Sequence, residues 1–122
     1  MTMLGSGSKP VAIGYLRKDI AGIAQGWNET QIRNLAKRLG YNLTKTVVFG
    51  ASTEHPLTDL IAAARRARAD AVIVPNATHF DDNEIPCELT RVVDVVTVSP
   101  EQTYARWALN PTRWSDTSQG PP

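Results

Sequence analysis

The sequence predicts an α/β protein with a three-layer, doubly wound architecture, in which a mostly parallel sheet of about four strands lies between helices. Two observations carry this prediction. Short apolar and β-branched runs alternate with segments whose apolar residues recur every three or four positions, as strands alternate with helices in βαβ units. One run, Ala71–Val74, is apolar at every position, which is typical of a central parallel strand covered on both faces.

The first strand and the first helix have distinct local signals. An apolar run over residues 9–16 predicts the strand, and residues 20–26 are expected to form a loop. Asn28 and Gln31 have the spacing of a capping box at a helix start, and Gly40 suits the left-handed residue that ends a helix. Four apolar residues between these signals share one helical face: Ile32, Leu35, Ala36 and Leu39.

The next two strands enclose a second helix. β-Branched and aromatic residues predict a strand over residues 41–49. Pro56 fits the first position of the helix, where its missing N–H costs nothing. Basic residues favour the negative C-terminal end of a helix, and the end of this one carries Arg65, Arg66 and Arg68. The third strand is the apolar run Ala71–Val74.

The last part of the chain is expected to contain two more helices and a fourth strand. Pro86 predicts a short helix that reaches about residue 92, and residues 93–98 predict the strand. Residues 99–102 read Ser-Pro-Glu-Gln, the pattern of a capped helix start with proline at its first position. This final helix is expected to end before residue 111 and to carry Tyr104, Trp107 and Ala108.

Composition limits the class of protein. The chain has 122 residues, enough for one domain, placed at residues 9–110. Residues 1–8 are predicted to be a flexible leader and residues 111–122 a disordered tail, because both are rich in Gly, Ser or Pro.

The formal net charge of +1 is too small to indicate an overall electrostatic attraction to nucleic acid. Cys87 is the single cysteine, which favours a cytoplasmic location, and no apolar run has the length of a transmembrane helix.

Three motifs together resemble the catalytic domain of the serine recombinases, the resolvases and invertases. The first is IGYLR at residues 13–17, which is similar to a family strand that ends in Tyr-x-Arg. The second is the helix with Gln31 and Leu35, at the place of the first family helix. The third is HPLTDLIAAARRARADAVIV at residues 55–74, which resembles a family helix that leads into an Asp and a valine-rich strand. The resemblance covers residues 11–98 and implies a resolvase-like, Rossmann-like fold.

The resemblance also implies a chemistry that this chain lacks. Family members cleave and rejoin DNA phosphodiesters with a serine nucleophile, while arginines neutralise charge on the phosphate. Arg17 matches one of these arginines, but Asp19 stands at the place of the serine. Where the family has Asp-Arg-x-x-Arg after the third strand, this chain has Ala-Thr-His-Phe-Asp-Asp. The resemblance therefore implies a degenerate site, without catalysis, at Arg17, Asp19, Thr78, His79 and Asp82.

Parallel topology should bring the polar residues after the first and third strands together at one sheet edge. One interpretation is a cleft that binds a divalent cation through Asp19, Asp81 and Asp82. The other is a set of solvated loop residues in which Arg17 pairs with Asp19 or Asp81. No G-x-G-x-x-G or P-loop motif indicates a nucleotide, so no cofactor is expected.

Two further groups are candidate binding residues. Arg65, Arg66 and Arg68 could contact nucleic-acid phosphates or form a solvated helix end. Aromatic residues near the end of the chain could pack on the sheet or form an exposed patch for a partner; these are Tyr104, Trp107 and Trp114.

The leading functional expectation is a non-catalytic, resolvase-like module that binds a protein partner or self-associates, with no membrane contact. Two alternatives remain open. The chain could be an accessory protein with weak affinity for DNA, or an enzyme that uses a metal in the carboxylate cleft.

Overall fold

A computed structural model describes residues 9–106 of the chain. The predicted leader, the predicted tail and the aromatic candidates Trp107 and Trp114 lie outside the described residues. The helices are α1 (Lys18–Ala21), α2 (Gln25–Leu39), α3 (Pro56–Ala67) and α4 (Cys87–Thr90). The strands are β1 (Val11–Arg17), β2 (Asn42–Phe49), β3 (Ala71–Val74), β4 (Asp94–Thr97) and β5 (Gln102–Tyr104).

The strands form one sheet in the order β2-β1-β3-β4-β5. The first four are parallel, and β5 pairs with β4 in the antiparallel direction. The α/β class and the mostly parallel sheet are confirmed, with five strands among residues 9–106 rather than about four. The pairing of β1 with β2 shifts by one residue, since Ala12 faces Leu43 while Ile13 faces Lys45. Thr44 is therefore the extra residue of a bulge in β2.

Helices cover both faces of the sheet, and each face has its own core. Ile32, Leu35 and Ala36 of α2 pack against one face. On the opposite face, Leu60 and Ala64 of α3 form a core with alternate residues of β1, β3 and β4. Central strand β3 is buried at all four positions, as its apolar sequence predicts. This arrangement is a three-layer, doubly wound sheet.

The signals at two helix ends are confirmed. Pro56 is the first residue of α3. Gly40 follows α2 with φ of 86°, and its N–H donates to the carbonyls of Ala36 and Lys37. This left-handed conformation favours glycine because it brings no Cβ against the backbone.

The predicted start of the first helix is wrong. α2 begins at Gln25 rather than after Asn28, and the expected loop at residues 20–26 is mostly helical. A 3₁₀ turn, Gly22–Ala24, leads directly into α2 without a side-chain cap. Asn28 therefore lies inside the helix, because the preceding helical turns already supply its start.

The predicted final helix is also wrong in the described part of the chain. Residues 102–104 form β5, preceded by a cis Ser99–Pro100 bond. The N–H of Ser99 donates to Pro75 O, and Thr97 Oγ1 donates to Pro100 O at 2.5 Å. The chain turns back here because the free edge of β4 offers backbone partners to β5. Long-range pairing thus overrides the local capping pattern.

Within residues 9–106, no helix is both long enough and apolar enough to cross a bilayer.

The packing of α2 and β2 against β1 leaves almost no room for a side chain at Gly14. A Cβ at this position would lie 2.9 Å from Thr46 Oγ1 and 3.0 Å from Ile32 Cγ2. We expect Gly14→Ala to lower the free energy of unfolding, measured by urea denaturation, by about 1–3 kcal/mol through overpacking. Gly26→Ala is the matched control, since a Cβ there meets nothing within 4 Å and Ala favours the helix. An unchanged unfolding free energy for Gly14→Ala would contradict this packing.

Candidate functional site

The carboxyl ends of β1 and β3 meet at one edge of the sheet. The two strands are parallel neighbours, with Gly14 opposite Ile73. β1 runs directly into α1, and β3 is followed by two 3₁₀ turns, Ala77–His79 and Asp81–Asn83. Open parallel sheets bind ligands at this edge, so the residues after β1 and β3 form the candidate site.

Hydrogen bonds to His79 connect the segment after β3 with the end of β1. Its carbonyl oxygen accepts a hydrogen bond from the Tyr15 hydroxyl at 3.1 Å. Its Nδ1 accepts a second one from the backbone N–H of Arg17 at 2.9 Å. Because Nδ1 is an acceptor here, the neutral ring carries its proton on Nε2. The imidazole is 2% exposed, so it acts as an internal linker.

Burial sets the charge state of this histidine. Desolvation lowers the pKa of His79, and the positive charge of Arg17 lowers it further, while Asp19 opposes both effects. A neutral ring is also what the hydrogen bond requires, since a protonated Nδ1 could not accept from the Arg17 N–H.

Tyr15 is held between two aromatic rings beneath the site. Its ring stacks on Phe80 with centroids 5.2 Å apart and meets Phe49 edge-on at 5.8 Å. Burial raises the pKa of the Tyr15 hydroxyl, which keeps its proton available for His79 O. Tyr15 and Phe80 are 2% and 6% exposed, so they give the site an apolar, largely buried floor.

Arg17 is paired within the chain. Its Nε and Nη2 donate to Asp19 Oδ1 and Oδ2 at 3.0 and 2.8 Å, a two-point contact. On the other side, Nη1 lies 3.7 Å from Asp81 Oδ1. Hydrogen bonding to Arg17 lowers the pKa of the Asp19 carboxyl and raises the pKa of the guanidinium. The positive charge of Arg17 is thus paired chiefly with Asp19, and Asp81 lies at a longer distance.

A cleft of about 410 Å³ opens beside Arg17, between the start of α3 and the segment at residues 80–88. Its walls combine aromatic and aliphatic side chains with four carboxylates and the thiol of the exposed Cys87. The twelve lining residues are Tyr15, Arg17, Pro56, Leu57, Phe80, Asp81, Asp82, Glu84, Ile85, Pro86, Cys87 and Glu88.

A left-handed turn gives the acidic side of the cleft its shape. Asp82 and Asn83 have φ of 61° and 56°, a region in which Asp and Asn are enriched among residues with a side chain. The turn places Asp81, Asp82 and Glu84 along the same cleft.

The structure brings most of the predicted site residues together. Arg17 contacts Asp19, Asp81 and His79, as expected from the parallel topology, and it pairs with both aspartates. Asp82 lines the cleft. Thr78 does not join the cluster, since it is exposed and both its N–H and its hydroxyl donate to Asn76 Oδ1.

The metal interpretation has no support from side-chain geometry. Among residues 9–106, no three His, Cys, Asp or Glu side chains converge as metal ligands. Asp19, Asp81 and Asp82 therefore do not form a ligand set, and both carboxylate oxygens of Asp19 accept hydrogen bonds from Arg17 instead.

The other binding candidates lie away from the cleft. Arg65 and Arg66 are in the last turn of α3 and Arg68 follows it, all exposed and near the opposite edge of the sheet. Tyr104 lies on β5, where its hydroxyl donates to Gln102 Oε1 at 2.7 Å.

Sequence reasoning missed most of the cleft, since only Arg17, Asp81 and Asp82 of its lining residues are predicted site residues. Glu84 and Glu88 line it with Leu57, Phe80 and Ile85, and none of these was a candidate. The available signal was the series of carboxylates at positions 81, 82, 84 and 88.

No protein-family model, no curated protein and no solved structure matches this chain.

His79 predicts how stability depends on pH. The pKa of His79 is lowered in the folded chain, so the unfolded chain binds more protons at mildly acidic pH. Stability is therefore present above the unfolded value and falls as pH drops, by at most about 1.4 kcal/mol per pH unit. Urea unfolding between about pH 7.5 and about pH 5 should show this loss; Asp19, whose carboxyl pKa is also lowered, titrates below that window.

His79→Asn is the control for this effect, because an amide oxygen can replace Nδ1 as the acceptor without titrating. We expect a shallower pH dependence in the variant. Equal slopes for the variant and the natural chain would contradict the assignment to His79.

Proposed function

We propose that this chain is a non-catalytic relative of the serine recombinase catalytic domain that works as a protein-binding module. Its cleft receives a Lys or Arg side chain and a neighbouring apolar residue from a partner. The observation that carries the proposal is the composition of the cleft. Carboxylates lie beside an apolar floor, and the cationic side chain in its lining, Arg17, is already paired.

The electrostatics argue against a phosphate as the ligand. Asp19 occupies the two-point contact of Arg17 that a phosphate would need. A phosphate near the cleft would also meet four carboxylates, each costing roughly 1 kcal/mol per close pair in water and more when desolvated. Asp19 also offers no hydroxyl where the resemblance places the nucleophile. These features favour binding over DNA chemistry.

The same carboxylates favour a cation. Asp82 and Glu84 are exposed and form no ion pair within residues 9–106. Glu88 lies on the same cleft. Complementary charge of this kind speeds encounter and selects partners more than it adds affinity. It therefore indicates a basic group on the partner.

The apolar floor favours a side chain over a bare ion. Leu57, Phe80 and Ile85 line the cleft, and the stems of Lys and Arg bury well against such surfaces while their charged ends stay near polar groups. A volume of about 410 Å³ lies in the range of ligand sites. Peptide side chains with an apolar stem and a cationic end match both parts of the cleft.

Peptide selection tests the binding proposal. We expect short random peptides, displayed on phage and selected on the full chain, to be enriched in Lys or Arg beside Leu, Ile or Phe. The double variant Asp82→Asn, Glu84→Gln should bind a selected peptide about three- to tenfold more weakly at low salt, measured by fluorescence anisotropy. Asn also tolerates the left-handed conformation of residue 82.

A matched double variant controls for net charge. Glu54→Gln with Asp59→Asn removes the same charge from exposed residues that do not line the cleft, and it should leave peptide affinity unchanged. No enrichment of basic residues, or equal losses in the two double variants, would overturn the proposal.

The absence of DNA cleavage is a separate prediction. Supercoiled plasmid incubated with the chain should yield no nicked or relaxed product on an agarose gel. Asp19 stands where the resemblance places the nucleophilic serine, and Arg17 is already paired with that aspartate. If the natural chain nicks the plasmid and Asp19→Ala does not, the non-catalytic interpretation is wrong.

A further inference from the structure

Residues 76–85, here called the wall segment, form one side of the cleft. They supply five of its twelve lining residues, namely Phe80, Asp81, Asp82, Glu84 and Ile85. Backbone N–H groups of the two 3₁₀ turns in this segment donate to carbonyls three residues earlier, inside the segment itself. The shape of the cleft therefore depends on what attaches the wall segment to the sheet.

Two hydrogen bonds attach the wall segment to β1, and both end on His79. The Tyr15 hydroxyl donates to its carbonyl oxygen at 3.1 Å, and the Arg17 N–H donates to its ring nitrogen Nδ1 at 2.9 Å. In the described part of the chain, Arg17 also lies 3.7 Å from the Asp81 carboxylate, which is 85% exposed and therefore contributes little. The ring of Phe80 adds an apolar contact with Tyr15. His79 is thus the main polar attachment of the wall segment.

Protonation of His79 is incompatible with one of these hydrogen bonds. A neutral imidazole can accept at Nδ1, whereas an imidazolium carries a proton on both ring nitrogens. Two donors would then face each other across the 2.9 Å that separates Nδ1 from the Arg17 nitrogen. The charged ring would also be buried, at 2% exposure, which costs free energy. Both effects favour an arrangement in which the protonated ring reaches solvent.

The charges around His79 do not remove this conflict. Burial lowers the pKa of His79, Arg17 lowers it further and Asp19 raises it. Both oxygens of Asp19 already accept from Arg17, and Lys18 extends over Gly50. The titratable groups on the elements packed around His79 are Tyr15 and Arg17 of β1, Lys18 and Asp19 of α1, and Asp81, Asp82 and Glu84 of the wall segment.

We propose that His79 makes the cleft sensitive to pH, because its protonation releases the wall segment from β1 and thereby weakens ligand binding. The effect on binding rests on the function proposed above, whereas release of the wall segment does not. The apolar contact of Phe80 with Tyr15 opposes release, so we expect a shift in population rather than complete opening.

Linkage between protonation and release gives the direction and size of the effect. A solvated histidine has a pKa of about 6.5, so the ratio of released to attached wall segment rises by up to about tenfold for each pH unit below that value. Because the attached form presents the complete cleft, the dissociation constant of a ligand rises as this form is depopulated. By reciprocity, a bound ligand lowers the pKa of His79 further.

The peptides selected on the chain provide the first test. Between about pH 7.5 and about pH 5.5, we expect the dissociation constant of a selected peptide, measured by fluorescence anisotropy, to rise about three- to tenfold. His79→Asn keeps an acceptor that does not titrate, so its dissociation constant should change by less than about twofold.

His55→Gln is the matched control for this titration. It removes the other histidine of the chain, which is exposed and does not line the cleft, so it should retain the full pH dependence. All three proteins keep the carboxylates of the cleft, and any titration of those groups is therefore common to them.

Hydrogen exchange measured by NMR tests release of the wall segment without any ligand. Over the same pH range, protection of the Arg17 amide, corrected for intrinsic exchange, should fall at least about fivefold more than protection of the Ile13 amide. Ile13 is buried in the middle of the same strand and reports on global unfolding. The difference between the two amides should disappear in His79→Asn.

The two measurements separate the possible failures. Equal losses of protection at Arg17 and Ile13 would overturn release of the wall segment, even if peptides bind. A dissociation constant that is independent of pH, or that changes equally in His79→Asn and the natural chain, would overturn the effect on binding. If no basic peptide is selected, the proposed function fails, and exchange at Arg17 still decides whether the wall segment is released.

Discussion

The organisation of the site depends on two hydrogen bonds to one residue. His79 accepts from the Tyr15 hydroxyl through its carbonyl and from the Arg17 N–H through its ring. These bonds join the segment after β3 to the last residues of β1, and both partners are buried or half-buried. The same segment carries Phe80, which stacks on Tyr15, and Asp81, which lies 3.7 Å from Arg17. A neutral imidazole in the interior is therefore the constraint that shapes the cleft.

The charge arrangement follows from the way β1 ends. Because β1 passes into α1 without a loop, Asp19 is brought back against Arg17 two residues earlier. An arginine at the carboxyl end of a central strand is ordinarily well placed to meet an anion. Here the chain supplies that anion itself, and the carboxylates beyond it face open space. At this edge of the sheet, carboxylates therefore surround an arginine that is already paired.

The sequence predicted the features that depend on neighbouring residues or on a continuous apolar run. Pro56, Gly40 and the buried strand β3 are of this kind, and the meeting of Arg17 with Asp81 followed from parallel topology alone. The errors arose where distant parts of the chain compete with local signals. The Ser-Pro-Glu-Gln pattern predicted a helix, but the residues from Gln102 onward form β5 because they pair with the edge of β4. The cleft itself depended on left-handed residues at 82 and 83, which no periodicity reveals.

The bulge in β2 has a consequence for the behaviour of the chain at high concentration. Among residues 9–106, β2 pairs only with β1, so its outer backbone is open to strand addition by other chains. The extra residue Thr44 breaks the regular spacing of that edge, and the neighbouring Lys45 places a charge on it. Irregular, charged edges pair poorly with one another. The irregular register of a single residue thus makes this edge of the sheet a poor template for pairing with the edge of another sheet.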